Sequence, residues 1–289
     1  MINQLNLYPS PQHQPFTLTS TNPTNHTAVL LIHGFLGTPA ECLPLAQHIH
    51  QTFNYTCHAP LLPGFGSDIA TLHHRTISDW QATITTAYHQ LNQTHQHIWL
   101  IGYSLGGALA LTTTPLLNQN PLFKPVHGLI LISPMLKIAL ETPFNLALWH
   151  LSKYLISLTR PLNRINFNDP RFRQEMTTIF PTLDLDDPHV QTALRQLPFP
   201  RRLIDQILRL GRLARHQLPR IKTPTFILQG DRDPIIPPTY LRHHVPTTVH
   251  YQEIPVNHDI LDPDRPHWPA LLHEINDYLT LPLSSSTQP

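Results

Sequence analysis

Five short runs of apolar residues, rich in leucine and β-branched side chains, recur along this chain. Each leads through a small-residue turn into a longer stretch of helical period. The runs are Ala28 to Ile32, Ile98 to Ile101, Gly128 to Ile132, Thr225 to Leu228 and Val249 to Ile254. A strand that is apolar throughout, rather than at alternate positions, has both faces buried, which happens in the middle of a parallel sheet covered by helices on each side. The pattern therefore predicts a doubly wound, mostly parallel α/β core. Helices are expected at Thr38 to Thr52, Ser78 to Asn92, Leu105 to Leu117 and Pro269 to Leu279. The first opens on Thr38-Pro39, with Glu41 in the capping-box position.

The strand–helix rhythm stops between Pro134 and Ile221. There, Leu140, Phe144, Leu148 and Leu151, and later Leu203, Ile207, Leu210 and Leu213, repeat at helical spacing without a convincing strand. The expected organisation is a core built from 1–134 and 221–280, a helical cap over 135–220, and a disordered tail over 281–289, where Ser284-Ser285-Ser286 replaces any apolar period.

Four segments at the ends of the predicted strands carry the chemistry. Gly102-Tyr103-Ser104-Leu105-Gly106 lies between a strand and a helix. A serine on so sharp a turn is held in a strained backbone conformation. The flanking glycines are needed because a side chain would strike neighbouring chain. Amides at the start of the helix then face any negative charge that develops beside the serine. His33-Gly34-Phe35-Leu36-Gly37 follows the first strand and can supply a second amide, so Phe35 N–H and Leu105 N–H are the candidate oxyanion donors. A serine hydroxyl needs a base, and His258, just beyond the last predicted strand, is well placed to be it. The acid that orients the histidine belongs after the strand ending at Leu228. Gly230-Asp231-Arg232-Asp233-Pro234 offers two carboxylates there, of which Asp233 is favoured because Pro234 stiffens its segment and Asp231 can pair with Arg232.

Composition narrows the alternatives. With 19 Lys and Arg against 18 Asp and Glu, the net charge is +1, which gives no reason to expect nucleic acid as a partner. The 21 histidines are scattered, and the pairs His73-His74 and His243-His244 lack a carboxylate or cysteine at ligand spacing, so no structural metal site is expected. Cys42 and Cys57 form no disulfide framework, and the polar start of the chain is no secretory signal, both pointing to a cytoplasmic protein. The apolar stretch from Ile138 to Leu158 is interrupted by Glu141, His150 and Lys153, which argues against a membrane span.

Together these segments resemble the α/β-hydrolase superfamily, and in detail the bacterial carboxylesterase and monoacylglycerol lipase group. His33-Gly34-Phe35 matches that group's oxyanion loop and Gly102 to Gly107 its serine elbow. Gly230-Asp231-Arg232-Asp233 matches an acid turn whose fourth residue is the catalytic Asp, which again selects Asp233. Asn257 departs from the small residue usual before the histidine, and the resemblance is weakest in the cap. It implies a cofactor-free hydrolase fold that cleaves carboxylic esters through an acyl-enzyme on Ser104. Apolar cap residues such as Trp149 point to a short- to medium-chain acyl ester or monoacylglycerol as the small-molecule substrate. The same triad serves thioesterases, C–C bond hydrolases and peptidases, a peptidase needing a cap carboxylate for the substrate amine. A non-catalytic binding protein on this scaffold is the alternative from another class.

Overall fold

The structure, a computed structural model, describes residues 11–139, 141–142, 145, 158–159, 166–170, 172–173, 185–196 and 199–281. Its central sheet has seven strands: β1 (Phe16–Leu18), β2 (Thr27–Ile32), β3 (Thr56–Ala59), β4 (His97–Tyr103), β5 (Gly128–Ile132), β6 (Thr225–Gly230) and β7 (His250–Ile254). They lie in the order β1-β3-β2-β4-β5-β6-β7, and all neighbours are parallel except β1 against β3. The five runs occupy β2, β4, β5, β6 and β7; the first four are buried along their whole length, whereas β7, at the edge of the sheet, is only partly buried.

The helices are α1 (Pro39–Phe53), α2 (Ile77–Asn92), α3 (Leu105–Gln119), α4 (Pro188–Gln196), α5 (Arg201–Gln217), α6 (Thr239–His244) and α7 (Trp268–Thr280). Alternate strand residues face opposite sides of the sheet. Ala28, Leu30 and Ile32 join one core with side chains of α2, α3 and α5, and Val29 and Leu31 join the other with α1 and α7. Each fully buried leucine or isoleucine there contributes about 1.5–3 kcal/mol.

Several expectations need adjusting. β1 and β3 carry no apolar run, and Thr56-Cys57-His58-Ala59 is a strand because β1 and β2 pair with its two sides. Of the face expected on α5, Leu203 and Leu210 are buried but Leu213 is 41% exposed, and Leu208, Gly211 and Ala214 complete the packed side instead. Gly211 lies so near the Leu136 carbonyl that a Cβ would come within 2.9 Å. The cap expectation of helices alone is incomplete, since a two-residue ladder pairs Leu158–Thr159 with Phe199–Pro200. The expected period through Leu140, Phe144, Leu148 and Leu151, Trp149, and the tail beyond Leu281 lie outside the described residues.

At the entrance to α1, Thr38 caps the helix by accepting from Ala40 N. Glu41 does not reach back to close the box, and its carboxylate binds Gly34 N–H instead, at 2.9 Å. The closed box lies on α2, one residue earlier than the expected start. Thr76 Oγ1 accepts from Asp79 N at 3.4 Å, and Asp79 Oδ2 accepts from Thr76 N at 2.8 Å. Thr76→Ala should lower stability by about 1 kcal/mol in urea unfolding, while Thr76→Ser stays near wild type; equal stability of all three proteins would show that the cap contributes nothing.

Candidate active site

All the singled-out segments meet at the ends of β2, β4, β6 and β7. β4 ends at Tyr103 and α3 begins at Leu105, so Ser104 alone makes the reversal, at φ 52° and ψ −114°. Its conformation is held from several sides: Ser104 N donates to Ile132 O at 2.9 Å, and Ser104 O accepts from Gly107 N, Ala108 N and Met135 N. A Cβ on Gly106 would lie 2.1 Å from Ile32 O, and one on Gly102 would lie 2.4 Å from Gly106 O. Backbone meets backbone at both points, so neither position has room for a side chain.

His258 Nε2 stands 3.0 Å from Ser104 Oγ, and its Nδ1 stands 2.6 Å from Asp233 Oδ2. The Asp233 side chain is fully buried. Its Oδ1 accepts from Ile235 N at 2.9 Å and Ile236 N at 2.8 Å, and Gln229 Nε2 lies 3.3 Å from Oδ2. Buried carboxylates need such donors, and these also set the direction of the oxygen facing the imidazole. Asp231 makes no hydrogen bond to His258; its Oδ1 lies 3.6 Å from Arg232 Nε. Leu105 N–H belongs to the first turn of α3, where amides have no carbonyl acceptor within the helix. Phe35 sits in the loop from His33 to Gly37 that follows β2, its ring edge-on to Phe65 at 5.9 Å.

A serine, a histidine and a buried carboxylate are thus hydrogen-bonded in line at the strand ends of a doubly wound sheet. The sequence pattern of the Alpha/beta hydrolase family matches residues 29–271. The chain belongs to that family. This α/β hydrolase is 28% identical over 213 residues to the thermostable monoacylglycerol lipase of Bacillus sp. (strain H-257), covering 73% of this chain and 72% of that protein. It is 33% identical over 118 residues to a carboxylesterase of Bacillus subtilis (strain 168), covering 39% of this chain and 46% of that one. Among solved structures, one from work on LipS and LipT, two metagenome-derived lipolytic enzymes, superposes with a TM-score of 0.67 at 21% identity, covering 93% of this chain and 98% of that chain. The hydrolase therefore resembles the esterase and lipase members of its family.

Two side chains at the site were not anticipated from the sequence. Tyr103, the variable residue of the elbow, donates its hydroxyl to His258 O at 2.8 Å and lies beside the imidazole, with ring centroids 5.3 Å apart. Gln229, fully buried, is the last residue but one of β6, and a polar side chain there, directly after Phe226-Ile227-Leu228 and before Gly230-Asp231-Arg232-Asp233, is the signal that marks it. Among the described residues, no group of three or more His, Cys, Asp or Glu is arranged to hold a metal ion. Nor is any helix among them long and apolar enough to cross a membrane.

His33 ties its own loop, which carries Phe35, to the following chain. Its Nε2 accepts from Leu62 N at 3.1 Å, which leaves Nδ1 to donate to Gly34 O at 2.9 Å. Burial pushes this imidazole down to about 4 from 6.5. The unfolded chain therefore binds the proton first, and the stability that neutral His33 confers is lost as pH falls from 6.5 towards 4. Glu41, pushed up by burial to about 7, acts in the opposite sense between 4.5 and 7, so wild type must be compared with a variant. The stability advantage of wild type over His33→Gln should shrink by roughly 3 kcal/mol between pH 7 and pH 4 in urea unfolding. An advantage independent of pH would mean that His33 is not held neutral.

Proposed function

We propose that this α/β hydrolase is a serine esterase that cleaves carboxylic esters of short- to medium-chain acyl groups, monoacylglycerols among them. The observation that carries the reading is the unbroken relay from Ser104 Oγ through His258 to the buried Asp233, at 3.0 Å and 2.6 Å. As Ser104 Oγ attacks the ester carbonyl, His258 Nε2 takes its proton, and Asp233 stabilises the imidazolium and holds its tautomer. Phe35 N–H and Leu105 N–H receive the oxyanion, each such donor contributing on the order of 3 kcal/mol to the barrier. The imidazolium then protonates the leaving alcohol. Water, deprotonated by the same nitrogen, releases the acid and restores Ser104. Every proton is accounted for between substrate, water and His258, so the cycle calls for no cofactor.

Residues 135–220 form the cap in this reading. Two of its carboxylates are already committed: Glu141 is paired with Arg215 at 3.0 Å and Asp186 with Arg173 at 2.8 Å, so neither is spare for the amine of a peptide substrate. The buried free thiols of Cys42 and Cys57 fit the cytoplasmic location expected of the chain.

A fluorophosphonate probe should label the wild type and fail to label Ser104→Ala. An unlabelled wild type would favour a binding protein. Hydrolysis of p-nitrophenyl esters from acetate through decanoate should be abolished in the same variant, and no turnover at any chain length defeats the proposal. Faster turnover of acyl-CoA than of matched oxygen esters would move it to a thioesterase. Asp233→Asn should cut kcat by about 10⁴, as loss of the orienting acid does in serine hydrolases generally, whereas Asp231→Asn should change it little. The reverse ranking would assign the acid to Asp231.

A further inference from the structure

The loop that carries Phe35 is bent around a carboxylate. Gly34 N donates to Glu41 Oε2 at 2.9 Å, and a Cβ on Gly37 would lie 2.1 Å from both oxygens of the same group. Glu41 therefore touches the loop on either side of Phe35. Between these contacts the chain makes a tight turn, with Gly37 N on Gly34 O at 3.3 Å and Leu36 at φ 60°. The turn is also backed by Tyr103, whose ring would meet a Cβ on Gly34 at 3.2 Å.

Glu41 itself is firmly placed. It sits in the first turn of α1, a helix that buries Pro39, Cys42, Leu45, Ala46 and Ile49 against the sheet. An acid at this point in a helix ordinarily turns back to the cap residue's amide. Here the cap is left to Thr38, whose hydroxyl serves Ala40 N and His13 Nδ1, and the acid is given over to the loop. That diversion gives up a stabilising capping contact of the usual kind in favour of loop geometry.

We infer that Glu41 is a positioning residue for the oxyanion site: by accepting from Gly34 N–H it sets the direction of the neighbouring Phe35 N–H. The inference rests on Phe35 N–H being an oxyanion donor, as proposed above. A charged acid so near a developing oxyanion would oppose it. Burial, reinforced by the charge of Asp259, raises the carboxyl to about 7 against the lowering effect of the Gly34 amide, which limits that opposition. Either form of the acid keeps an oxygen able to accept from Gly34.

The test compares Glu41→Leu, similar in size but without an acceptor, with Glu41→Gln, which keeps a carbonyl oxygen in place. Glu41→Leu should lower kcat for a p-nitrophenyl ester about 10- to 100-fold, less than outright removal of a donor, with KM within about threefold. It should weaken a trifluoromethyl ketone, which forms a tetrahedral adduct with its oxygen in the donor site, by the same factor as kcat/KM. A non-reactive amide analogue should bind unchanged, and Glu41→Gln should recover most of the loss. A lowered Tm with kcat and ketone affinity intact would overturn the role, and so would Glu41→Gln as damaging as Glu41→Leu. Should Glu41→Leu not fold, Glu41→Asp, one methylene shorter, carries the same readouts, and wild-type values there overturn the inference. Wild-type protein that neither labels with fluorophosphonate nor hydrolyses esters sinks the esterase reading and this role together. Active wild type with an indifferent Glu41 sinks this role alone.

Discussion

The contact on which this molecule depends is the one between the first turn of α3 and the end of β2, where Gly106 lies against Ile32 O too closely for even a methyl group. That approach draws Leu105 N–H and the loop after β2 to the same point in space. It also lets Ser104 take a φ of 52° without losing backbone partners, because Ile132 O and the amides of Gly107, Ala108 and Met135 are within reach. A strained residue persists only where its surroundings over-determine it, and here they do so from β5 and α3 at once. The acid turn repeats the arrangement on a smaller scale, since a Cβ on Gly230 would lie 2.5 Å from Asn257 O in the histidine loop.

Much of this was legible beforehand because the relevant signals are local. Strands buried on both faces announce themselves by unbroken apolar runs, and the elbow by glycines spaced around Ser104 at a strand–helix junction. The sequence also favoured Asp233 over Asp231, and it is Asp233 that meets His258, though the placement differs in part from the expected stiffening by Pro234. The carboxylate is directed by Ile235 N, Ile236 N and Gln229, partners whose convergence depends on how the turn packs. What escaped the sequence was whatever depends on contacts between distant segments. β3 is a strand only because two neighbours pair with it. Glu41 carries a capping signature and yet spends its carboxylate on Gly34, a preference no local pattern encodes.

Tyr103 and Glu41 join the loops that carry Ser104, Phe35 and His258. The tyrosine binds His258 O and packs against Gly34, and Glu41 binds Gly34 N–H. Ala139 N donates to Ile235 O, joining the chain that leaves β5 to the turn that presents Asp233.

The short antiparallel strand at the start of the sheet has a bearing on how this protein can be handled. Three residues, Phe16–Leu18, cover the outer side of β3, with Thr17 Oγ1 and His58 Nδ1 adding a side-chain bond at 2.9 Å. The opposite border, β7, is guarded differently, by the Arg242–Glu253 ion pair beside its exposed amides. Removing Phe16–Leu18 would leave the Thr56–Ala59 backbone as an open template for another molecule's strand, a route to aggregation. Any tag or surface tether must therefore leave that cover in place.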